Sequence, residues 1–166
     1  MRKKLIEEIE KKIYSIVHEI LKKIIGPDFV IDNVKDINLE FVMRLKSYGI
    51  GGIILDVDDT IRRDMMKIPE CNQEWIKFMK REFRVVVVSN GYDGKVKEFL
   101  DENGIPYIAF AKKPLRDSFL KACEMMGLYP ENVLAIGDDF ICDIYGSKRC
   151  LMRSAVIKIK HEGRDF

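Results

Sequence analysis

Hydrophobic and polar residues follow two different patterns along this chain. Over the first 25 residues, aliphatic side chains recur at steps of three and four, from Leu5 to Ile25. That spacing predicts an amphipathic helix over residues 3–25, which Gly26-Pro27 ends. The aliphatic stripe on this helix needs a cover, and three partners stay open: the rest of the chain, a second copy of the chain, or a membrane surface.

From residue 38 onward, short apolar runs alternate with helical patterns. The runs predict five strands, at residues 53–56, 85–88, 107–110, 133–136 and 155–159. One helix is predicted before the first strand, at residues 38–48, and four between the strands, at residues 72–81, 93–104, 114–127 and 139–150. This alternation is typical of an α/β fold, a three-layer Rossmann-like arrangement with a five-stranded parallel sheet and helices on both faces. We therefore predict a helical extension over residues 1–25 and a core domain over residues 26–166.

Composition excludes several classes of protein. Of the 166 residues, 47% are hydrophobic and 34% charged, as in a globular domain rather than a disordered chain. The 29 basic and 27 acidic residues nearly cancel, so the charge gives no strong sign of nucleic-acid binding. Four cysteines without a CxxC pair, and only two histidines, favour reduced thiols over disulfides or a zinc site.

Targeting and membrane-spanning segments are not predicted either. Acidic residues at Glu7, Glu8 and Glu10 interrupt the stretch that a signal peptide needs to be apolar. No run approaches the roughly 20 apolar residues of a transmembrane helix. We expect a cytoplasmic protein, peripheral to a membrane if the N-terminal stripe binds one.

Polar side chains with complementary chemistry follow four of the predicted strands. In chain order they are Asp56, Asp58 and Thr60 in ILDVDDT, Ser89 and Asn90 in VVSN, Lys112 and Lys113 in KKP, and Asp138, Asp139 and Asp143 in GDDFICD. The carboxyl ends of parallel strands share one edge of a sheet, which is where such folds bind ligands. These side chains are therefore expected to meet.

So many carboxylates in one place predict a divalent cation among them. Oxygen donors without histidine or thiolate favour Mg²⁺, which binds one or two carboxylates together with a substrate phosphate. A lysine and a hydroxyl at the same edge suit a phosphate group. One carboxylate can act as a nucleophile and a second, two residues on, as acid and base.

The four motifs, in this order, resemble those of the haloacid dehalogenase (HAD) superfamily of phosphatases, and the similarity spans residues 28–160. Within that superfamily the chain resembles the YqeG-like group of subfamily IIIA, through DFVIDNVKDINLEF, AKKP and the spacing from Asp138 to Asp143. It departs from the group in reading DDT where DNT is common, and in carrying Arg116 where a small residue is usual.

The resemblance implies a role for each motif residue. Asp56 is expected to attack phosphorus and form an aspartyl-phosphate, while Asp58 acts as general acid and base. The residues expected around the phosphate are Thr60, Ser89, Asn90 and Lys113, with Lys112 the weaker candidate. The expected Mg²⁺ ligands are Asp56, Asp58 through its backbone carbonyl, and Asp138. Asp139 and Asp143 are expected to support those ligands from behind.

Other polar residues near the motifs are expected to be structural. Three arginines, Arg62, Arg63 and Arg116, are expected at the surface. Cys142 is expected to be a small packed helix residue. His18 and His161 have no sequence neighbours that suggest catalysis.

The short intervals between motifs predict an open site. Only 28 residues separate Thr60 from Ser89, and 23 separate Ser89 from Lys113, which leaves no room for a cap domain. We expect the phosphate to belong to a large molecule, of unresolved identity. The resemblance also implies an alternative, phosphatidylglycerophosphate dephosphorylation at a membrane surface. A further alternative is a non-catalytic binding or assembly protein, which the acid at Asp58 disfavours. Oligomerisation through residues 1–25 stays possible.

Overall fold

A computed structural model describes residues 2–63 and 65–158 of the chain. Its strands are β1 (Phe29–Ile31), β2 (Gly52–Leu55), β3 (Arg84–Val88), β4 (Tyr107–Ile108), β5 (Val133–Gly137) and β6 (Arg153–Ile157). Its helices are α1 (Arg2–Ile24), α2 (Leu39–Ser47), α3 (Glu70–Glu82), α4 (Gly94–Glu102), α5 (Arg116–Met126) and α6 (Gly146–Lys148). A π-helical segment, Phe140–Tyr145, runs directly into α6, and short 3₁₀ turns occupy Val34–Asp36 and Pro130–Asn132.

The six described strands form one parallel sheet in the order β1-β6-β5-β2-β3-β4. After β2 the chain moves outward through β3 and β4, then returns to the opposite side of β2 with β5. The strand order therefore reverses between β2 and β5, the position at which open α/β sheets bind ligands. The predicted parallel α/β architecture is confirmed.

Neighbouring residues of the central strands point to opposite faces of this sheet, and each face has its own apolar core. On one face, Ile53 and Leu55 of β2 pack in a cluster with buried residues of α2, α3 and α4. On the other face, Ile54 packs in a cluster with Phe119 and Ala122 of α5. Helices on both faces give the three predicted layers.

The sheet differs from the prediction at its edges. The strand β1 was missed because it has only three residues and pairs only with β6, at the rim of the sheet. Strand β4 ends at Ile108, and Phe110, predicted to continue it, has a left-handed backbone with φ of 50°. Strand β6 begins two residues earlier than predicted, and Ile159 lies outside the described residues. Central strands, with longer apolar runs, were easier to recognise.

The helix ends follow ordinary capping chemistry. The side chain of Asn38 accepts a hydrogen bond from the Phe41 amide and begins α2, as predicted. Gly127, with φ of 61°, ends α5 in the left-handed conformation that glycine adopts readily. Pro114 was expected in the first turn of α5 but precedes it, since the helix begins at Arg116.

The first helix lies outside both cores. Tyr14 and His18 contact the π-helical segment, whereas eight aliphatic side chains of the stripe are between 40% and 74% exposed: Leu5, Ile6, Ile9, Ile13, Ile16, Val17, Ile20 and Ile24. The predicted amphipathic helix is confirmed, and within the described residues the rest of the chain does not cover its stripe. No helix in residues 2–63 and 65–158 combines the length and apolarity needed to cross a membrane.

Candidate active site

The polar residues predicted from the motifs gather in a small cleft where β2, β3 and β5 end. This cleft has a volume of about 220 Å³. Its lining consists of Asp56, Asp58, Asp59, Ser89, Asn90, Gly91, Lys113, Asp138, Asp139, Cys142 and Asp143. Thr60 lies beside the cleft, buried against Asp56. The structure therefore brings together all the predicted site residues.

Asp56 stands at the end of β2 because the strand ladder continues through its backbone. Its amide donates to the Ile136 carbonyl on β5 at 3.0 Å, which holds the residue level with the end of that neighbouring strand. The chain then turns, with the amides of Thr60 and Ile61 both directed to the Val57 carbonyl. This turn returns the Thr60 hydroxyl to donate to Asp56 Oδ2 at 3.2 Å.

A buried lysine joins two of the carboxylates. Lys113 Nζ lies 2.6 Å from Asp56 Oδ1 and 2.6 Å from Asp143 Oδ1, and only 3% of the Lys113 side chain is exposed. We call Lys113 with Asp56 and Asp143 the Lys113 bridge. Both carboxylates are also nearly buried. Removing Lys113 would leave two nearly buried carboxylates without their counter-charge.

Asn90 explains why Lys113, rather than Lys112, points into the cleft. The Asn90 amide group donates to the Lys113 carbonyl at 3.1 Å, and its Oδ1 accepts from the Lys113 amide at 2.6 Å. Lys112, with φ of 55°, is exposed. Both ends of the Asn90 side chain thus bind the backbone of Lys113. Ser89 is buried, and its hydroxyl accepts from the Gly91 amide at 3.1 Å.

The π-helical segment places Asp143 under the cleft. Asp139 caps the segment, with Oδ1 accepting from the amides of Ile141 and Cys142. The Asp139 amide in turn donates to Asp143 Oδ2 at 3.2 Å. A side chain on Gly137 would place a carbon 2.2 Å from Asp143 Cγ, so the approach of Asp143 requires glycine at that position. Segments of this helix type often occur at functional sites.

The cleft carries more negative charge than Lys113 can balance. Oxygen atoms of Asp56, Asp138 and Asp143 all lie within 4.8 Å of one another. Burial and the charge of Asp56 raise the pKa of Asp138 to about 7, and the same two causes raise the pKa of Asp143 to about 7. Burial opposes the charge on Lys113, but Asp143 and Asp56 outweigh it and hold the pKa of Lys113 above its usual range.

These carboxylates fit a hard divalent cation. The three residues offer only oxygen donors, which suit Mg²⁺ better than softer metals. The thiol of Cys142 also lines the cleft, but burial raises its pKa to about 12, so it is neutral and a poor ligand. Cys142 is half-buried, in keeping with its predicted packing role.

Arg62 contradicts the expectation of a surface position. Its side chain is 3% exposed, with Nε 2.8 Å from Asp58 Oδ1 and Nη1 2.6 Å from Asp93 Oδ2. We call Arg62 with Asp58 and Asp93 the Arg62 bridge. The turn after β2 draws Arg62 inward, where Asp93 compensates its charge. Arg63 and Arg116 are exposed, as predicted.

Tyr14 of α1 also reaches the site, which the sequence did not predict. Its hydroxyl donates to Asp139 Oδ2 at 3.0 Å. His18 packs edge-on against Phe140, with ring centroids 5.6 Å apart. Tyr14 and His18 are four residues apart and therefore lie on one face of α1, away from the aliphatic stripe. This pair of aromatic residues was the signal in the sequence that could have predicted a second contact face. His18 thus has a packing role, and His161 lies outside the described residues.

The cleft has no cap domain over it within residues 2–63 and 65–158. The described residues between Thr60 and Ser89 form a loop, α3 and β3, and those between Ser89 and Lys113 form chiefly α4 and β4. A larger groove of about 510 Å³ adjoins the cleft and shares Asp59 with it. The site is therefore open, as the short intervals predicted.

Comparison with known proteins identifies the family. The haloacid dehalogenase-like hydrolase family matches residues 68–150, half of the chain. The probable phosphatase YqeG of Bacillus subtilis is 35% identical over 131 residues, which cover 78% of this chain and 74% of that protein. The chain belongs to the haloacid dehalogenase-like hydrolases. The resemblance drawn from the four motifs, and the enzyme class expected from it, are thereby confirmed.

Two further similarities to this hydrolase cover less of the chain. The phospholysine phosphohistidine inorganic pyrophosphate phosphatase of Xenopus laevis is 46% identical over 46 residues, 28% of this chain and 17% of that protein. The crystal structure of a 2-haloacid dehalogenase from Pseudomonas syringae superposes with a TM-score of 0.52 at 19% identity. It covers 61% of this chain and 45% of the dehalogenase, which supports the fold alone.

Proposed function

We propose that this hydrolase is a Mg²⁺-dependent phosphatase with Asp56 as its nucleophile. The observation that carries the proposal is the Lys113 bridge at the end of β2. It holds one oxygen of Asp56 on Lys113, while Thr60 donates to the other. A carboxylate oriented in this way, beside a cation and under an open cleft, suits attack on a phosphate ester.

The reaction proceeds in two balanced displacements. In the first, an oxygen of Asp56 bonds to phosphorus, the bond from phosphorus to the leaving oxygen breaks, and Asp58 gives that oxygen a proton. In the second, a water oxygen bonds to phosphorus, the bond to Asp56 breaks, and Asp58 takes a proton from the water. The products are an alcohol and inorganic phosphate, and both aspartates return to their starting states.

The phosphate group is held by Lys113 and Ser89 in this proposal. Lys113 supplies positive charge to the transferring phosphoryl oxygens, and the buried hydroxyl of Ser89 donates a hydrogen bond to one of them. Asn90, predicted as a phosphate ligand, contributes by fixing Lys113 through its two backbone hydrogen bonds. Thr60 contributes by orienting Asp56.

Mg²⁺ would be held by carboxylates of Asp56 and Asp138 and by the backbone carbonyl of Asp58. When bound, it supplies positive charge that offsets the crowded carboxylates and the phosphate. The crowding of the Asp56, Asp138 and Asp143 oxygens within 4.8 Å supports this assignment, and burial together with the charge of Asp56 raises the pKa values of Asp138 and Asp143. Asp143 holds Lys113 from below, and Asp139 caps the segment that presents Asp143.

The open cleft and α1 support a large or amphiphilic substrate. The cleft of about 220 Å³ is open and adjoins the groove of about 510 Å³, so a substrate larger than the cleft can extend beyond it. The exposed stripe of α1 favours a second candidate function, dephosphorylation of a lipid head group at a membrane surface. We also propose that residues 1–25 are an extension and residues 26–166 the folding unit, since α1 contributes to neither apolar core.

The decisive experiment measures hydrolysis of phenyl phosphate with Mg²⁺ and with EDTA. We expect activity that depends on Mg²⁺ and that Asp56→Asn lowers by at least about 10⁴-fold. Asp117→Asn, at an exposed position of α5, is the matched control and should keep wild-type activity. Activity that survives Asp56→Asn would show that another group attacks phosphorus.

A further inference from the structure

The Arg62 bridge has no assigned part in the reaction. Arg62 donates through Nε to Asp58 and through Nη1 to Asp93, while its side chain is withdrawn from water. Burying a guanidinium is costly unless its charge and its planar donors find partners. Here one of the two partners is the carboxylate proposed to exchange protons with the substrate.

The bridge is anchored at its Asp93 end. Asp93 caps α4, with Oδ1 accepting from the amides of Lys95 at 2.8 Å and Val96 at 3.2 Å. Its other oxygen accepts from Arg62, and this hydrogen bond lowers the pKa of Asp93. A helix start therefore fixes Asp93, and Asp93 fixes the guanidinium plane.

Asp58 is the freer end of the same bridge. Its side chain is 43% exposed and lines the cleft, so Arg62 is the contact that restrains it. The Nε–H of Arg62 needs an acceptor on Oδ1, and the proton that Asp58 exchanges is then carried by Oδ2. Restraint of one oxygen orients the other, which is what a general acid needs to meet a leaving oxygen.

We propose that Arg62 is a positioning residue for Asp58, an inference that rests on the proposed function. In the proposed reaction, Arg62 contacts neither the phosphate nor the nucleophile. It holds the Asp58 carboxyl so that Oδ2 gives its proton to the leaving oxygen in the first displacement and takes a proton from water in the second. Loss of Arg62 should therefore slow each displacement, and the slowing should be greater for a leaving group that needs a proton.

Leaving groups of different basicity separate this role from a purely structural one. Phenolate is a poor leaving group that needs a proton, whereas dinitrophenolate leaves without one. The ratio kcat/KM reports the first displacement alone. We expect Arg62→Gln to lower kcat/KM about 100-fold for phenyl phosphate and less than about fivefold for dinitrophenyl phosphate. Asp58→Asn should show the same contrast, larger in size.

A second readout follows the second displacement. Because Asp58 also accepts the proton of the attacking water, Arg62→Gln should slow hydrolysis of the aspartyl-phosphate. With dinitrophenyl phosphate, the variant should then release a rapid burst of dinitrophenolate equal to the enzyme concentration, followed by a slower steady rate. A variant that is only less stable would lower both phases by the same factor.

Three further variants keep the proposal testable if Arg62→Gln folds poorly. Arg63→Gln alters the neighbouring exposed arginine and should change neither substrate's kcat/KM. Asp93→Asn keeps the helix cap, because asparagine caps as well as aspartate, but removes the anchoring charge. It should give a leaving-group contrast of about tenfold. Arg62→Lys keeps the charge without the planar fork and should also show the contrast.

The outcomes separate this inference from the proposed function. Suppose that the wild-type protein hydrolyses both phosphates, and that Arg62→Gln and Asp93→Asn show the same ratio of kcat/KM between the two substrates as wild type. That result would overturn the role of Arg62 and leave the proposed function standing. An equal loss on both substrates would also overturn it, because the arginine would then act on folding or substrate binding. A wild-type protein that hydrolyses neither phosphate would remove both the function and the inference.

Discussion

Two cations at the same edge of the sheet each join two carboxylates, yet their surroundings differ. The Lys113 bridge is sealed: Lys113, Asp56 and Asp143 are all nearly buried, and two acids in the cleft have pKa values raised to about 7. The Arg62 bridge is open at one end, where the Asp58 side chain is 43% exposed. At its other end, the pKa of Asp93 is lowered.

The difference matches the two kinds of chemistry in the proposed reaction. A nucleophile and its metal require fixed positions and excess negative charge, which burial with a single lysine provides. An acid and base must meet a leaving group and then water, so it needs exposure together with a restraint on its direction. One bridge thus holds charge in place, and the other orients a carboxyl that remains accessible.

Loss of Lys113 should have the largest effect among the residues that flank the nucleophile. We expect Lys113→Met to lower kcat/KM for phenyl phosphate by about 10³-fold or more, because the phosphoryl oxygens lose a buried positive charge. It should also destabilise the protein by about 3–5 kcal/mol, since two buried carboxylates keep no counter-charge. Steady-state kinetics and thermal unfolding measure the two effects.

Two control variants separate the chemical effect from the structural one. Lys112→Met alters the adjacent exposed lysine and should leave both the rate and the unfolding temperature nearly unchanged. In the double variant Lys113→Met with Asp143→Asn, one buried charge is removed, so stability should partly return while activity does not. Recovery of activity in the double variant would show that Lys113 acts only by neutralising Asp143.

Much of this site was predictable because its residues stand directly after apolar runs. Asp56 and Asp138 directly follow the central strands β2 and β5. All four residues of β2 and all five of β5 are buried, and the apolar runs in the sequence predict that burial. The choice of Lys113 over Lys112 came from a motif match, and Asn90 supplies its physical reason. Local sequence and strand direction are thus enough to predict the residues that follow the central strands.

The contacts that were missed join residues far apart in sequence. Arg62 is buried because Asp93, 31 residues later, compensates its charge, and nothing in the local sequence of either residue predicts the pairing. The sequence predicts Asp93 only as the first residue of a helix, and in the structure Asp93 caps that helix. Tyr14 meets Asp139 across 125 residues through a helix that the pattern predicted without its orientation. Tertiary pairing of this kind has no periodicity to read.

The pH dependence of stability should come from Asp138 and Asp143 on the Lys113 side of the cleft and not from Asp93 in the Arg62 bridge. In metal-free protein, the folded-state pKa values of Asp138 and Asp143, about 7, exceed the unfolded value of about 3.9. Their stabilising contribution is therefore complete below about pH 4 and is lost as the pH rises through about 7. In EDTA, we expect the unfolding temperature to fall by several degrees between about pH 5.5 and about pH 8.

Mg²⁺ and two substitutions test the source of that slope. Mg²⁺ should restore stability at about pH 8, because it binds the deprotonated carboxylates. Asp138→Asn should reduce the slope, because Asp143 alone then contributes to it, and should weaken the stabilisation by Mg²⁺. The lowered pKa of Asp93 makes its own contribution constant over this range, so Asp93→Asn should leave the slope unchanged. A slope that is undiminished in Asp138→Asn would show that Asp138 is not one of the titrating groups.

The smallest effect should come from α1, which meets the Lys113 side of the cleft through Tyr14 on Asp139 and His18 on Phe140. The Tyr14 hydroxyl bonds Asp139 at an exposed position, and such a hydrogen bond contributes about 1 kcal/mol or less. Tyr14→Phe, and deletion of residues 1–25, should therefore lower kcat/KM for phenyl phosphate by less than about fivefold. A deletion that unfolds the protein would contradict the proposed boundary at residue 26.

Substitutions within the stripe identify its partner. A replacement of Ile9 and Ile16 by glutamate removes the stripe's apolar character but keeps Tyr14, so it separates the stripe from the contact with Asp139. If full-length protein sediments with anionic liposomes and the glutamate variant does not, the stripe binds a membrane surface. If light scattering instead shows a mass that falls to one chain in the variant, it binds a second copy. Either result would leave the rate on phenyl phosphate nearly unchanged, because both bridges lie within residues 26–166 and no described side chain of α1 contacts either cation.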